Sequence, residues 1–355
     1  EEQVYRGGVK VQKRDLETQD TVSQGNATLA GATFSITTLN EQPVWVNGKL
    51  YQKDEMCLTI ITDENGLAST EEKALPVGHY RIEETQAPTG YLKDGAKTLE
   101  FEITKDGEMV DLTSKDTSIA NQVIRGGVKV QKRDIETGET KPQGNATLEG
   151  ATFTITNLST HPVLVNEKLY ESGQVVLTLK TDKSGAAATA KDALPYGHYR
   201  IDETEAPDGY LNEGKLSQEF DIQENGKIID LTSKEHAILN QIIRGDLEFV
   251  KVSDGDLNRL ANVPFSITSK TTGESHTIVT DKNGYASTSA EWNKHTANTN
   301  RGETSEDGIW FGTSKPDDSK GALIYDTYIL EEQRCETNEG MNLLKIEVEV
   351  YRNHV

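Results

Sequence analysis

The sequence predicts an all-β chain of three tandem β-sandwich domains in an extended rod. Two observations carry this. A long segment recurs at a fixed offset of 119 residues, so that "RGGVKVQKRD" at Arg6–Asp15 returns at Arg125–Asp134. Within each copy, short alternating runs are separated by Gly, Asn and Asp turns such as "TDENGLAST" and "TDKNGYAST", while helical periodicity is scarce.

The same offset holds for "GNATL" (Asn26, Asn145), for "ALPVGHYRI" and "ALPYGHYRI" (Pro76, Pro195) and for "DLTSK" (Asp111, Asp230). A divergent third copy opens at "IRGDLEFVKVSD", with Lys251 placed 119 residues after Lys132. Its first loop is shorter and "PVWVNGKLYQKDE" has no counterpart in it. A long polar loop is added between Ser287 and Leu323. Domains are expected at 1–123, 124–242 and 243–355. The junctions "NQVIRGG" and "NQIIRGD" are short and lack a Pro/Ser linker, which predicts strand-to-strand, semi-rigid joints. Seven or so short strands per unit suit an immunoglobulin-like or transthyretin-like sandwich.

Composition excludes several classes. The 355 residues include 58 acidic and 37 basic ones, a net charge of −21, which argues against nucleic-acid binding. No apolar run reaches membrane-spanning length, so no membrane insertion is expected. The chain shows neither a signal peptide nor a hydrophobic tail and reads as a mature fragment. Cys57 and Cys335 fall in different domains and offer no disulfide framework. The seven histidines form no ligand cluster, and the acidic turns read as hairpins, so no metal or other cofactor is called for.

Strand alternation exposes an anomaly. Val9, Val11 and Lys13 share the inward face of the first strand. In "HYRIEET", Tyr80, Ile82 and Glu84 share a face; Tyr199, Ile201 and Glu203 repeat it, as do Tyr328, Leu330 and Glu332. In "SIANQVI", Ile119, Asn121 and Val123 point one way, with Ile238, Asn240 and Ile242 as the copy. Each of the first two domains thus aims a Lys, a Glu and an Asn inward. Three readings stand: a lysine snorkelling to solvent, a buried ion pair with an amide partner, or a reactive set. In the last, burial favours a neutral amine and a protonated carboxyl. The amine is then a nucleophile, the carboxyl a donor to the Asn side-chain carbonyl and a proton shuttle to the leaving group, and contact supplies the acceleration for a Lys–Asn amide with loss of ammonia.

"VKVQKRD", "GATFSI", "DENGLAST" and "LPVGHYRIEETQAPTGYL" resemble the Cna B-type (prealbumin-like, SpaA-type) domains of Gram-positive adhesins and pilins. The match covers both first domains; the "KRD" strand and the "E-T-x-A-P-x-G-Y" segment are its most telling parts. The resemblance implies an isopeptide bond Lys13–Asn121 assisted by Glu84, and Lys132–Asn240 assisted by Glu203. The third domain resembles a module of large thioester- and isopeptide-containing surface proteins. Lys251 and Glu332 fit two of its roles. "KIEVEVYRNHV" resembles the "LEFEI" strand (Leu99–Ile103) rather than a closing strand, so the acceptor of Lys251 is expected outside this chain.

The resulting expectation is a monomeric structural stalk, extracellular and cell-wall anchored through parts outside the chain, next to further domains of the same surface protein. It is not an enzyme beyond one self-directed turnover per domain. One alternative is an adhesive module that binds a host glycan or matrix protein through Trp292, Trp310 and Phe311 of the third-domain loop; against it, Trp310 and Phe311 read as pinning the loop to its own domain. A second is a pilus shaft subunit, for which "LYQKDE" and "LYESGQ" lack the Y-P-K-type lysine motif.

Overall fold

The computed structural model describes residues 3–93, 97–212, 216–296 and 308–351. In the first domain a four-stranded antiparallel sheet runs in the order Met56–Ile61, Thr33–Thr38, Gly78–Gln86, Leu99–Ile103. Opposite it lies the ten-residue first strand, Arg6–Asp15, which organises the second sheet. Its odd-numbered amides serve one edge: Lys13 N donates to Gly66 O and Val9 N to Thr70 Oγ1. Even-numbered Gly8 and Leu16 donate to Glu108 O and Asn121 O on the other edge. That second edge carries Met109–Leu112 and Ile119–Asn121, both parallel to the first strand.

Between the sheets, Val9, Val11, Phe34, Ile36, Tyr80, Ile82 and Ile119 are fully buried, the inward set that alternation assigns. The second domain repeats this arrangement around Arg125–Asp134. In the third, Ser275–Val279, Pro264–Ser269, Asp326–Glu332 and Lys345–Val350 form the four-stranded sheet. Lys345–Val350 pairs beside Asp326–Glu332 as Leu99–Ile103 pairs beside Gly78–Gln86, the position its sequence suggests. In the third domain the entering chain forms two short strands, Arg244–Gly245 paired with Leu323–Ile324 and Glu248–Val250 paired with Tyr285–Ser287; among the described residues no parallel strand lies on the other edge of the latter.

Each joint is built from the loop that follows a first strand. Glu17 accepts from Arg125 Nε at 2.7 Å and Nη2 at 2.8 Å. Gln24 Oε1 accepts from Leu164 N at 2.8 Å, and Asn26 N donates to Tyr196 O at 3.2 Å. At the second joint Glu136 takes Arg244 Nε at 2.9 Å and Nη2 at 2.8 Å, and Asn145 N donates to Tyr325 O at 3.0 Å. Glycine is required here by approach and by conformation. A Cβ on Gly25 (φ 59°) would meet Tyr196 O at 2.0 Å, and one on Gly144 (φ 54°) would meet Tyr325 O at 2.5 Å.

The second joint is the drier of the two. Arg244 and Glu136 are 2% and 5% exposed at their side chains, against 18% and 17% for Arg125 and Glu17. Arg244 also lies 3.7 Å from the centre of the Trp310 ring. Burial pushes the Glu136 carboxyl up, but Arg244, Gln241 and Ser314 outweigh it and hold the pKa at about 2, below its ordinary 4.5. A depressed carboxylate stabilises above the unfolded value and loses that contribution as pH falls through the folded one. Trp310 emission is therefore expected to change between pH 4.5 and 2, and Glu136→Gln should remove most of this acid dependence. Glu136→Ala, which strands a buried guanidinium, should cost about 3–5 kcal/mol in denaturant titration.

Candidate functional site

Three strands converge on one buried point in each of the first two domains. Lys13 comes from the first strand, Glu84 from Gly78–Gln86 and Asn121 from Ile119–Asn121. Lys13 and Asn121 are fully enclosed and Glu84 nearly so. Lys13 Nζ donates to Asn121 Oδ1 and stands 3.0 Å from Glu84 Oε1. The other carboxyl oxygen, Glu84 Oε2, takes Asn121 Nδ2 at 2.7 Å. A second contact, Asn121 Nδ2 to Leu92 O at 2.6 Å, fixes the amide plane.

The second domain reproduces this set. Lys132 Nζ is 2.9 Å from Glu203 Oε1; Asn240 Nδ2 donates to Glu203 Oε2 and to Leu211 O, each at 2.8 Å. Asn240 Oδ1 is buried and accepts no hydrogen bond. Phe34 and Phe153 wall the lysines, their ring centres 6.0 and 5.8 Å from the ammonium nitrogens.

Protonation follows from burial. Desolvation lowers the Lys13 pKa against the pull of Glu84. It brings Lys132 down to about 8 and raises Glu203 despite Lys132 and Asn240. Both shifts in the second domain favour a neutral amine beside a protonated carboxyl.

The third domain differs. Lys251 Nζ stands 3.0 Å from Glu332 Oε2, and its side chain keeps 14% exposure. Glu332 Oε1 accepts from buried Asn338 Nδ2 at 2.9 Å, and Leu344 N donates to Glu332 Oε2 at 3.0 Å. Burial pushes Glu332 up, but Leu344, Asn338 and Lys251 together hold it below the ordinary carboxylate value. Asn338 Oδ1 is engaged by Cys335 N at 2.8 Å. Glu332 is thus kept as a carboxylate in an ion pair.

The family model for the SpaA prealbumin-like fold domain matches residues 9–118 and 126–236. The chain belongs to this family. Among solved structures, the SpaA-domain chain is similar over 99% of its length to the Bacillus anthracis TIE protein, at 25% identity and a TM-score of 0.56. It spans 49% of that protein, about half its length. It is also similar to BcpA, the major pilin subunit of Bacillus cereus (14% identity, 99% of this chain and 97% of that one, TM-score 0.32). A third likeness is the C-terminal fragment of pilus adhesin SpaC from Lactobacillus rhamnosus GG (19% identity, 67% and 98%, TM-score 0.34). No curated protein sequence matches.

The geometry of the two SpaA domains refines the chemistry read from sequence. The carboxyl bridges the lysine nitrogen and the amide nitrogen, not the amide oxygen. One oxygen can take a proton from Nζ while the other delivers one to Nδ2, the leaving nitrogen.

The aromatic loop is corrected. Trp310 and Phe311 are 2% and 0% exposed, so they present no surface to a ligand. Trp310 Nε1 donates to Ser314 O, and the ring supports Arg244 at the second joint. Trp292 is exposed and stands edge-on to Tyr285. Residues 297–307 of that loop and Asn353 lie outside the described residues.

Three further buried polar residues lie beside these sets. Asn338 lies in a short 3-10 turn, where strand periodicity has no purchase. Asp15 and Asp134 are fully buried and accept from Tyr91 Oη at 2.8 Å and Tyr210 Oη at 2.9 Å. Their position two residues after each lysine, on the same strand face, was the available signal.

Removing the carboxamide should leave the perturbed lysine open to titration. In Asn240→Ala, Lys132 is expected to titrate near 8 rather than 10.5 by side-chain NMR. The unfolded chain binds the extra proton in that window, so stability of this variant should rise with pH between about 8 and 10.5. A lysine titrating above 10 would show that the pocket keeps it charged.

Proposed function

We propose that the chain is a stalk segment of a Gram-positive surface protein, fastened by self-formed Lys13–Asn121 and Lys132–Asn240 amide bonds. The observation that carries this reading is the enclosed carboxyl that bridges the lysine Nζ and the asparagine Nδ2 in both domains, joined in the first by a direct lysine–carboxamide contact. The sequence resemblance to Cna B-type adhesin and pilin domains supports the cellular setting.

The step balances without a co-reactant. Neutral Nζ attacks the Asn Cγ, a C–N bond forms, and the Cγ–Nδ2 bond breaks. Glu84 or Glu203 accepts a proton from Nζ and gives one to Nδ2, which leaves as ammonia. The carboxyl ends as it began, so each domain performs a single turnover on itself. Proximity provides what an unactivated amide lacks in reactivity.

The bond between Lys13 and Asn121 closes a loop of 108 residues. On the chain-entropy argument used for disulfides it is worth about 4–5 kcal/mol. Unlike a disulfide it is indifferent to reductant. Force entering at one end of a domain passes from the first strand to the last without opening the sandwich. The next staple begins at Lys132, a few residues beyond the joint.

Intact mass under denaturing conditions checks this. The expected result is the loss of two ammonia molecules per chain, with one restored by Glu84→Ala and the other by Glu203→Ala. An unshifted mass overturns the reading and leaves two buried ion pairs. A third loss would mean that Lys251 has reacted with Asn338, against the geometry of the third domain.

A further inference from the structure

The two joints share one construction, and the entry face of the first domain presents the same parts to solvent. Arg6, Arg125 and Arg244 stand 119 residues apart. Each guanidinium is aimed by its own domain. Arg125 Nη1 and Nη2 donate to Ala193 O and Leu164 O; Arg244 donates likewise to Ala322 O and Phe311 O. Arg6 takes the equivalent carbonyls, Ala74 O at 3.1 Å and Trp45 O at 2.7 Å. The entering backbone follows one path as well: Val77 N donates to Tyr5 O, Tyr196 N to Ile124 O and Tyr325 N to Ile243 O.

The difference is the carboxylate. Glu17 grips Arg125 and Glu136 grips Arg244; among the described residues no carboxylate pairs with Arg6. Around Arg6 the apolar counterparts of joint residues are uncovered. Trp45, in the place of Leu164, is 55% exposed; Val77, in the place of Tyr196, is 42% exposed. With Arg6, Leu50 and Pro76 they line a surface pocket of about 440 Å³.

We propose that this face docks the exit end of a further domain of the same kind, entering along the chain at Tyr5. That end would place a Glu carboxylate on Arg6 and a Gln-Gly-Asn loop against Trp45 and Val77. The occupant is set by the two existing joints, whose exit ends are Glu17 with Gln24-Gly25-Asn26 and Glu136 with Gln143-Gly144-Asn145. A second copy of this chain does not supply one. Its Glu17 and Glu136 are engaged, and its third domain carries Gly255 at the position 119 residues after Glu136.

The test keeps the chain from Arg6 onward and replaces residues 1–5 with a further domain. A copy of residues 125–243 is placed directly ahead of Arg6, so that Ile243 precedes Arg6 as Ile124 precedes Arg125. Both this chain and the parent carry Trp292→Phe, which leaves Trp45 as the main exposed tryptophan, since Trp310 is buried. Acrylamide quenching of Trp45 should fall about twofold in the extended chain as the joint excludes water. Glu136→Lys in the added copy alone should restore it. Quenching unchanged from the parent, with the added domain folded by its melting transition, overturns the proposal. So does protection of Trp45 in the parent that grows with concentration, which would make the occupant a second copy. The readout is independent of the ammonia losses, so this inference and the crosslink reading stand or fall separately.

Discussion

A lysine with no access to water governs the architecture of the first two domains. An ammonium in that position costs several kcal/mol of desolvation unless it is paired or neutral. The surrounding fold answers that demand with a carboxyl group, an amide, an aromatic wall and a backbone carbonyl, each from a different part of the sandwich. This is why the last strand runs parallel to the first and ends beside it. Register places Asp15 opposite Asn121 and so brings the amide to the lysine. The shift in protonation that burial imposes is also what makes the set reactive in the reading developed above.

The same strand face continues outward into the joint. Lys13 and Asp15 share it and Glu17 lies in the turn just beyond, serving in order the core, the Tyr91 and Gln24 support, and Arg125 of the next domain. Lys132, Asp134 and Glu136 repeat the series toward Arg244. The third domain reads Lys251, Ser253, Gly255 at these positions, so its inner lysine remains while the outer two functions are gone. Core and joint are therefore one continuous polar track, and the third domain departs from it progressively.

Alternation and the 119-residue repeat were enough to place Lys13, Glu84 and Asn121 on inward faces, because a buried strand obeys a period of two. The pairing of Lys345–Val350 was legible for the same reason. The joints were not. They depend on backbone carbonyls and loop amides brought together by tertiary structure, such as Leu164 on Gln24 and Tyr325 on Asn145, and such contacts leave no periodic mark. Asn338 was hidden by its turn. For Trp310 and Phe311 composition left a ligand-facing and a loop-pinning role open; the loop folds back and buries both rings, which is the pinning role.

The unequal drying of the two joints has a mechanical consequence. Charges that water and salt can reach attract weakly and are screened within about 10 Å at moderate ionic strength; those sealed from solvent are screened much less. The ion pair of the first joint is the more open to water and salt, while that of the second is held beneath an indole ring as well as by a carboxylate. Rising ionic strength therefore loosens the charged grip between the first and second domains before that between the second and third.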